Sequence, residues 1–137
     1  MPINPEILLN KELEEVEGSW SEERVILYNI AVGSSQDPLN KSDLEFTLGP
    51  NPKVIPSFAA CIYPMESVFS IIGTEGLEVS LTSLLHGEQK ITIHKDIPSS
   101  GTALTKAKIT AVEDYRKFAS VTIASDSYIG DEKISTA

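Results

Sequence analysis

Thr102–Ile129 reads TALTKAKITAVEDYRKFASVTIASDSYI, and its rhythm decides the fold class. Strand-like text runs over Thr102–Val112, pauses at Glu113–Lys117 and resumes over Phe118–Ile129. Runs rich in β-branched residues, bounded by polar turn residues, mark strands joined as a hairpin. Upstream, Leu77, Val79 and Leu81 alternate with polar neighbours and lead into Leu84–Gln89, and Ile91 and Ile93 continue the pattern. Ile97-Pro98-Ser99-Ser100-Gly101 is a turn between that run and the next. Three strands of about ten residues joined by short turns imply a strongly bent antiparallel meander.

The helical signals all precede these strands. Ser19 and Glu22 stand at capping-box spacing before Val25, Ile26, Leu27, Tyr28, Ile30 and Ala31, so a helix is expected over Ser21–Val32. Gly33 stands where a left-handed C-terminal cap belongs. The apolar residues cover most of this helix's girth, which predicts burial on more than one side. Leu44–Leu48 (LEFTL) alternates and reads as a short edge strand. A second helix is expected to start at Pro56, run through Phe58 and Ile62, and be disturbed or ended by Pro64. Helices followed by strands indicate α+β, with a bent antiparallel sheet wrapped around a central helix. Ile134 begins a further strand that looks cut off at Ala137.

Length and composition narrow the function classes. The 137 residues, 41% hydrophobic and 23% charged, suit one globular domain. A net charge of −9 argues against nucleic acid, whose phosphates need clustered Lys and Arg. Glu12, Glu14, Glu15, Glu17, Glu22 and Glu23 concentrate near the start and read as a solvated face. No apolar run is long enough for a membrane span. One cysteine, Cys61, excludes an internal disulfide, and two histidines with one cysteine make no metal site. No cofactor, metal, nucleic acid or membrane partner is expected.

Four stretches, in order, carry a resemblance: WSEERVILYNIAVG (Trp20–Gly33), VIPSFA (Val54–Ala59), LLHGEQ (Leu84–Gln89) and IPSSG (Ile97–Gly101). Together they resemble the N-terminal hot-dog repeat of MaoC-type dehydratases, above all the 2-enoyl-CoA hydratase 2 unit of peroxisomal multifunctional β-oxidation enzymes. The resemblance implies a hot-dog domain over 18–137, preceded by an acidic extension over 1–17. In that family a second repeat carries the G-D-x-N-P-x-H motif, whose Asp and His activate water. That motif is absent from this sequence: Asp37-Pro38-Leu39-Asn40 resembles part of it, but no histidine follows at motif spacing. The resemblance thus implies the acyl-CoA-binding half of an (R)-specific 2-enoyl-CoA hydratase of fatty-acid β-oxidation. No catalytic residue is expected in this chain, and a second hot-dog domain would supply the chemistry. A stand-alone acyl-CoA binding module or a degenerate remnant is the alternative reading. The expected setting is soluble and intracellular, peroxisomal or cytoplasmic, although Ser135-Thr136-Ala137 is no targeting tripeptide.

The resemblance also suggests site residues, each with a plainer reading beside it. His86 and Gly87 match substrate-contacting positions; alternatively His86 is a strand-end histidine bonded to backbone. Arg116 and Lys117 follow Tyr115, which stands where relatives place a phosphate-binding lysine, and either could take over that charge; alternatively they form a solvated hairpin tip. Gly49 stands where relatives often carry a glutamate. Phe58, Ile62, Leu81 and Leu85 are candidate walls of an acyl tunnel, or plain core.

Overall fold

The computed structural model describes residues 3–63, 72 and 74–137. Its centre is the hairpin read from the sequence. β3 (Gly101–Asp114) and β4 (Ala119–Ile129) pair antiparallel along nearly their whole length, with one irregularity between Ile109 and Ala111. β5 (Glu132–Thr136) returns along β4, and β1 (Val16–Trp20) and β2 (Thr92–Ile93) complete a five-stranded sheet in the order β1-β3-β4-β5-β2. The helices precede nearly all the strands, as expected for α+β.

The sheet's inner face carries Ala103, Thr105, Ala107 and Ile109, all buried, while Lys106 and Lys108 point outward. Period-two alternation on a half-buried strand produces this division. Two apolar clusters cover the inner face. At the Gly101 end, Trp20, Val25, Phe58, Ala59, Ile62, Ile97 and Ile134 pack together. Phe58 meets Trp20 and Tyr28 edge-on, with centroids 6.2 and 5.4 Å away. Farther along β3, Leu8, Leu77 and Ile109 form a second cluster, joined by Ile3, Leu13, Val121 and Ile123. Between them lies a buried hydroxyl rung, Thr105 Oγ1 to Ser127 Oγ at 2.9 Å.

α2 (Glu22–Ala31) lies where the sequence placed it, but its cap is Ser21, whose hydroxyl accepts from the Arg24 amide at 3.4 Å. Ser19 instead belongs to β1 and bonds the Thr102 hydroxyl. The C-terminal end is as expected: Gly33 takes φ +95°, its amide donates to Ile30 and that of Ser34 to Asn29. These two bonds are a Schellman pattern.

Several expectations were overturned. α2 buries Val25 and Asn29 but exposes Leu27 and Ile30, because Val25 packs into the first core cluster and Asn29 bonds the carbonyls of Phe46 and Lys53, while Leu27 and Ile30 lie on the uncovered side. Leu44–Leu48 is no strand: Asn40 caps the Asp43 amide, and α3 (Lys41–Leu44) forms and runs into a turn. The long strand expected from Leu77 shrinks to Thr92–Ile93, while Leu81–Ser83 is a 3-10 turn. Alternation permits a strand, but a ladder partner is what makes one. The Pro56 helix is a 3-10 helix over Pro56–Cys61, and the expected effect of Pro64 lies outside the described residues. The further strand expected at Ile134 does form, as β5, between β4 and β2. The segment before β1 packs onto the sheet through α1 (Pro5–Leu8), whose Leu8 is fully buried. Most of its glutamates are exposed, and Glu15 pairs with Lys106 at 2.9 Å.

Candidate functional site

A groove of about 410 Å³ opens beside the first core cluster. Its apolar walls are Phe46, Pro52, Val54, Pro56, Ile93 and Ile97, and Lys53 and Asp96 bring the charged groups. Three stretches build it: the turn after α3, the proline-punctuated run 52–56, and β2 with the residues after it. A mostly apolar concavity of this size with a few polar groups is the usual form of a small-molecule site.

One buried side chain ties its outer wall to α2. Asn29 Nδ2 donates to the carbonyls of Phe46 at 2.8 Å and Lys53 at 2.7 Å, while its Oδ1 has no partner among the described residues. Glu22 Oε1 accepts from the Asn51 amide at 2.9 Å and the Ser99 hydroxyl at 3.2 Å, joining the wall to the turn before β3. Trp20 Nε1 fixes the same turn by donating to the Pro98 carbonyl at 2.9 Å. Lys53 forms an exposed ion pair with Glu45. Arg24 donates to the carbonyls of Ser19 and Cys61. Partial burial raises the Cys61 thiol despite the nearby Arg24 charge, so it is a poor nucleophile at neutral pH.

None of the eight residues singled out from sequence lines this groove. Phe58 and Ile62 lie in the core cluster that also holds Val54, Ile93 and Ile97, which do line it. Leu81 and Leu85 are 55% and 89% exposed. His86 and Gly87 share that exposed segment; the imidazole Nε2 lies 3.1 Å from the Glu88 carbonyl, and a side chain at Gly87 would meet nothing within 4 Å. Arg116 and Lys117 occupy the β3–β4 tip. There Arg116 takes φ +67° and its amide donates to Asp114 Oδ1 at 2.7 Å, while Tyr115 and Phe118 stack at 4.9 Å. The 14 residues of β3 separate this tip from the Gly101 end. At ~3.3 Å per residue that is roughly 45 Å along the strand. The structure therefore brings Phe58 and Ile62 near the groove and sets Arg116 and Lys117 at the opposite end of β3. The sequence signal for the groove was the proline run Pro50, Pro52 and Pro56, which by itself says only that the chain turns.

A second polar cluster lies on the sheet's outer face. Asp126 accepts from Lys133 and from the Thr136 hydroxyl, each at 2.6 Å, and Thr136 Oγ1 meets His94 Nε2 at 2.9 Å. Partial burial acts to raise the Asp126 carboxyl, but the bonds from Lys133 and Thr136 and the nearby charges outweigh it and hold it below the usual range.

Residues 19–136 match the family described as the MFE-2 hydratase 2 N-terminal domain. The chain belongs to that family. As a hydratase 2 N-terminal domain it is 28% identical over 121 residues to the enoyl-CoA hydratase ChsH3 of Mycobacterium tuberculosis, covering 87% of this chain and 42% of that protein. It is 27% identical over 130 residues to the peroxisomal enoyl-CoA hydratase 2 of Arabidopsis thaliana, covering 91% and 42%. The chain thus spans about two-fifths of these relatives' length. A MaoC-like dehydratase from Phytophthora capsici superposes with a TM-score of 0.79 at 19% identity, over 98% of this chain and 48% of that one. The full-length peroxisomal multifunctional enzyme type 2 of Drosophila melanogaster gives 0.68 at 25%, over 91% and 21%. The fold is the hot-dog of the MaoC-like dehydratases. No helix among the described residues is long and apolar enough to cross a membrane.

Proposed function

We propose that this chain is the acyl-thioester-binding half of an (R)-specific 2-enoyl-CoA hydratase. It would hold trans-2-enoyl-CoA while a second hot-dog domain adds water across the double bond. The observation that carries this reading is the family match over 19–136 in a sequence with no G-D-x-N-P-x-H motif. General acid–base catalysis needs two groups converging on the substrate. His86 instead lies on an exposed segment, with its Nε2 beside a backbone carbonyl.

The acyl chain is assigned to the groove, whose walls are apolar and tied down by Asn29, Glu22 and Trp20. The exposed face of α2, with Leu27 and Ile30, is assigned to the partner domain, since apolar residues at helical spacing are otherwise left against water. Pure chain is expected to leave the absorbance of crotonyl- or decenoyl-CoA unchanged, and to support turnover once a hydratase 2 C-terminal domain is added. Turnover by the chain alone, abolished by His86→Ala, would overturn the division of labour.

A further inference from the structure

Two anchors frame the inner wall of the groove, which is made by Ile93, Asp96 and Ile97. At one end, Trp20 Nε1 holds the carbonyl of Pro98, just past Ile97. At the other, Ile93 sits in β2 and pairs with Ser135. His94 follows it, and the amides of His94 and Lys95 both donate to the Ile134 carbonyl, at 2.9 and 3.3 Å. The His94 ring joins the outer-face cluster, its Nε2 lying 2.9 Å from Thr136 Oγ1. That hydroxyl donates to Asp126 Oδ1 at 2.6 Å. Asp126 is ionised at neutral pH, with Lys133 donating to its other oxygen at 2.6 Å. A hydroxyl has a single hydrogen, and an ionised carboxylate only accepts. The Thr136 hydrogen is therefore committed to Asp126, and its oxygen turns a lone pair toward His94. Nε2 of His94 must then carry hydrogen and donate to Thr136. The other charges beside this chain are already paired: Lys106, opposite Asp126 on β3, with Glu15, and Lys95 with Glu132.

We propose that Asp126 and Thr136 are positioning residues for the groove, acting through His94 to hold the wall of Ile93, Asp96 and Ile97 in place. The inference deepens the acyl-chain reading of the groove and rests on it. Polar groups on the outside of the sheet thereby set how firmly an apolar wall stands on the inside. A wall fixed before the ligand arrives loses less freedom on binding, so breaking the chain of bonds costs affinity without removing any group that touches the ligand.

The test uses the full chain, by calorimetry with decanoyl-CoA, which has no double bond to hydrate, and by amide exchange in NMR. Thr136→Val keeps the side chain's shape and removes its hydroxyl, while Lys133 still pairs with Asp126. It should weaken decanoyl-CoA binding about fivefold, the worth of one hydrogen bond, and speed exchange at the His94 and Lys95 amides by a similar factor. Thr136→Ser restores the hydroxyl and should recover both. His94→Ala should lose as much affinity as Thr136→Val, and the double variant no more than either, because both break one chain. Above the imidazole titration range, the ring's nitrogen chemical shifts should show hydrogen on Nε2. The positioning role is overturned by parent-like affinity and exchange in Thr136→Val, by no recovery in Thr136→Ser, by losses that multiply in the double variant, or by a neutral ring carrying its hydrogen on Nδ1. Failure of the parent chain to bind decanoyl-CoA would instead overturn the acyl-chain reading, and this role with it.

Discussion

At the scale of single residues, Asn29 and Asp126 hold polar arrangements with different consequences. Asn29→Leu keeps the volume but leaves the carbonyls of Phe46 and Lys53 without their donor. Losing two hydrogen bonds to a buried amide is expected to cost about 2–4 kcal/mol. Urea unfolding measures this, and calorimetry with a non-hydratable acyl-CoA should show weaker binding as the groove wall loosens. Asp126 governs a pH effect. Its carboxyl titrates below the ordinary aspartate range, so its contribution to stability is complete above that range and is lost as pH falls through the depressed value. Lys133, raised by the bond and charge of Asp126, behaves oppositely: its share is present at neutral pH and lost as pH rises through its elevated value. Asp126→Asn should therefore lower the thermal midpoint at neutral pH and flatten its decline in acid. An unchanged acid limb would show that the pair does not couple to folding.

At the scale of elements, α2 was legible because its signals are local. A serine cap, an apolar run and a terminal glycine each act within a turn or two, whatever lies beyond. Ser21→Ala is expected to cost about 1 kcal/mol through loss of the cap. Gly33→Ala should cost roughly 1–2 kcal/mol, since φ +95° suits only glycine well. The neighbour such a side chain meets at 3.2 Å, the end of Gln36, is flexible enough to move aside. Thermal unfolding of both variants checks these values. The strands divide differently. β3 and β4 were readable because both are long and joined by a short tip, so each supplies the other's partner. β1 was missed: its text, VEGSW, has a mid-strand glycine and follows a run of glutamates, and only its position beside β3 makes it a strand.

At the scale of the whole molecule, the groove lies at the Gly101 end of β3, and Arg116 and Lys117 lie at the other end of that strand. Lys53→Ala is therefore expected to weaken acyl-CoA binding by a few-fold, a modest change because its ammonium is exposed and already paired with Glu45. Arg116→Ala with Lys117→Ala should leave affinity unchanged. Calorimetry on the reconstituted two-domain assembly at low salt compares them. A tenfold loss from the double variant alone would move the phosphate site to the tip, where the resemblance first placed it.

By itself the sequence determined the α+β class, the central hairpin, the caps of α2 within two residues, and the family through motifs spread over most of its length. These rest on periodicity, local capping and quoted residues, each of which is carried by the chain in one dimension. Only the tertiary structure decided which alternating stretch became a strand, which side of α2 was covered, and where a groove opened. Leu77–Ile93 and Leu44–Leu48 had strand-like text, but β2 kept two residues and α3 took part of the other. The groove joins Phe46 and Val54 to Ile93 and Ile97, residues some 40 to 50 positions apart in the sequence. No local pattern encodes such a meeting, because it follows from how the sheet and Asn29 hold separate stretches together.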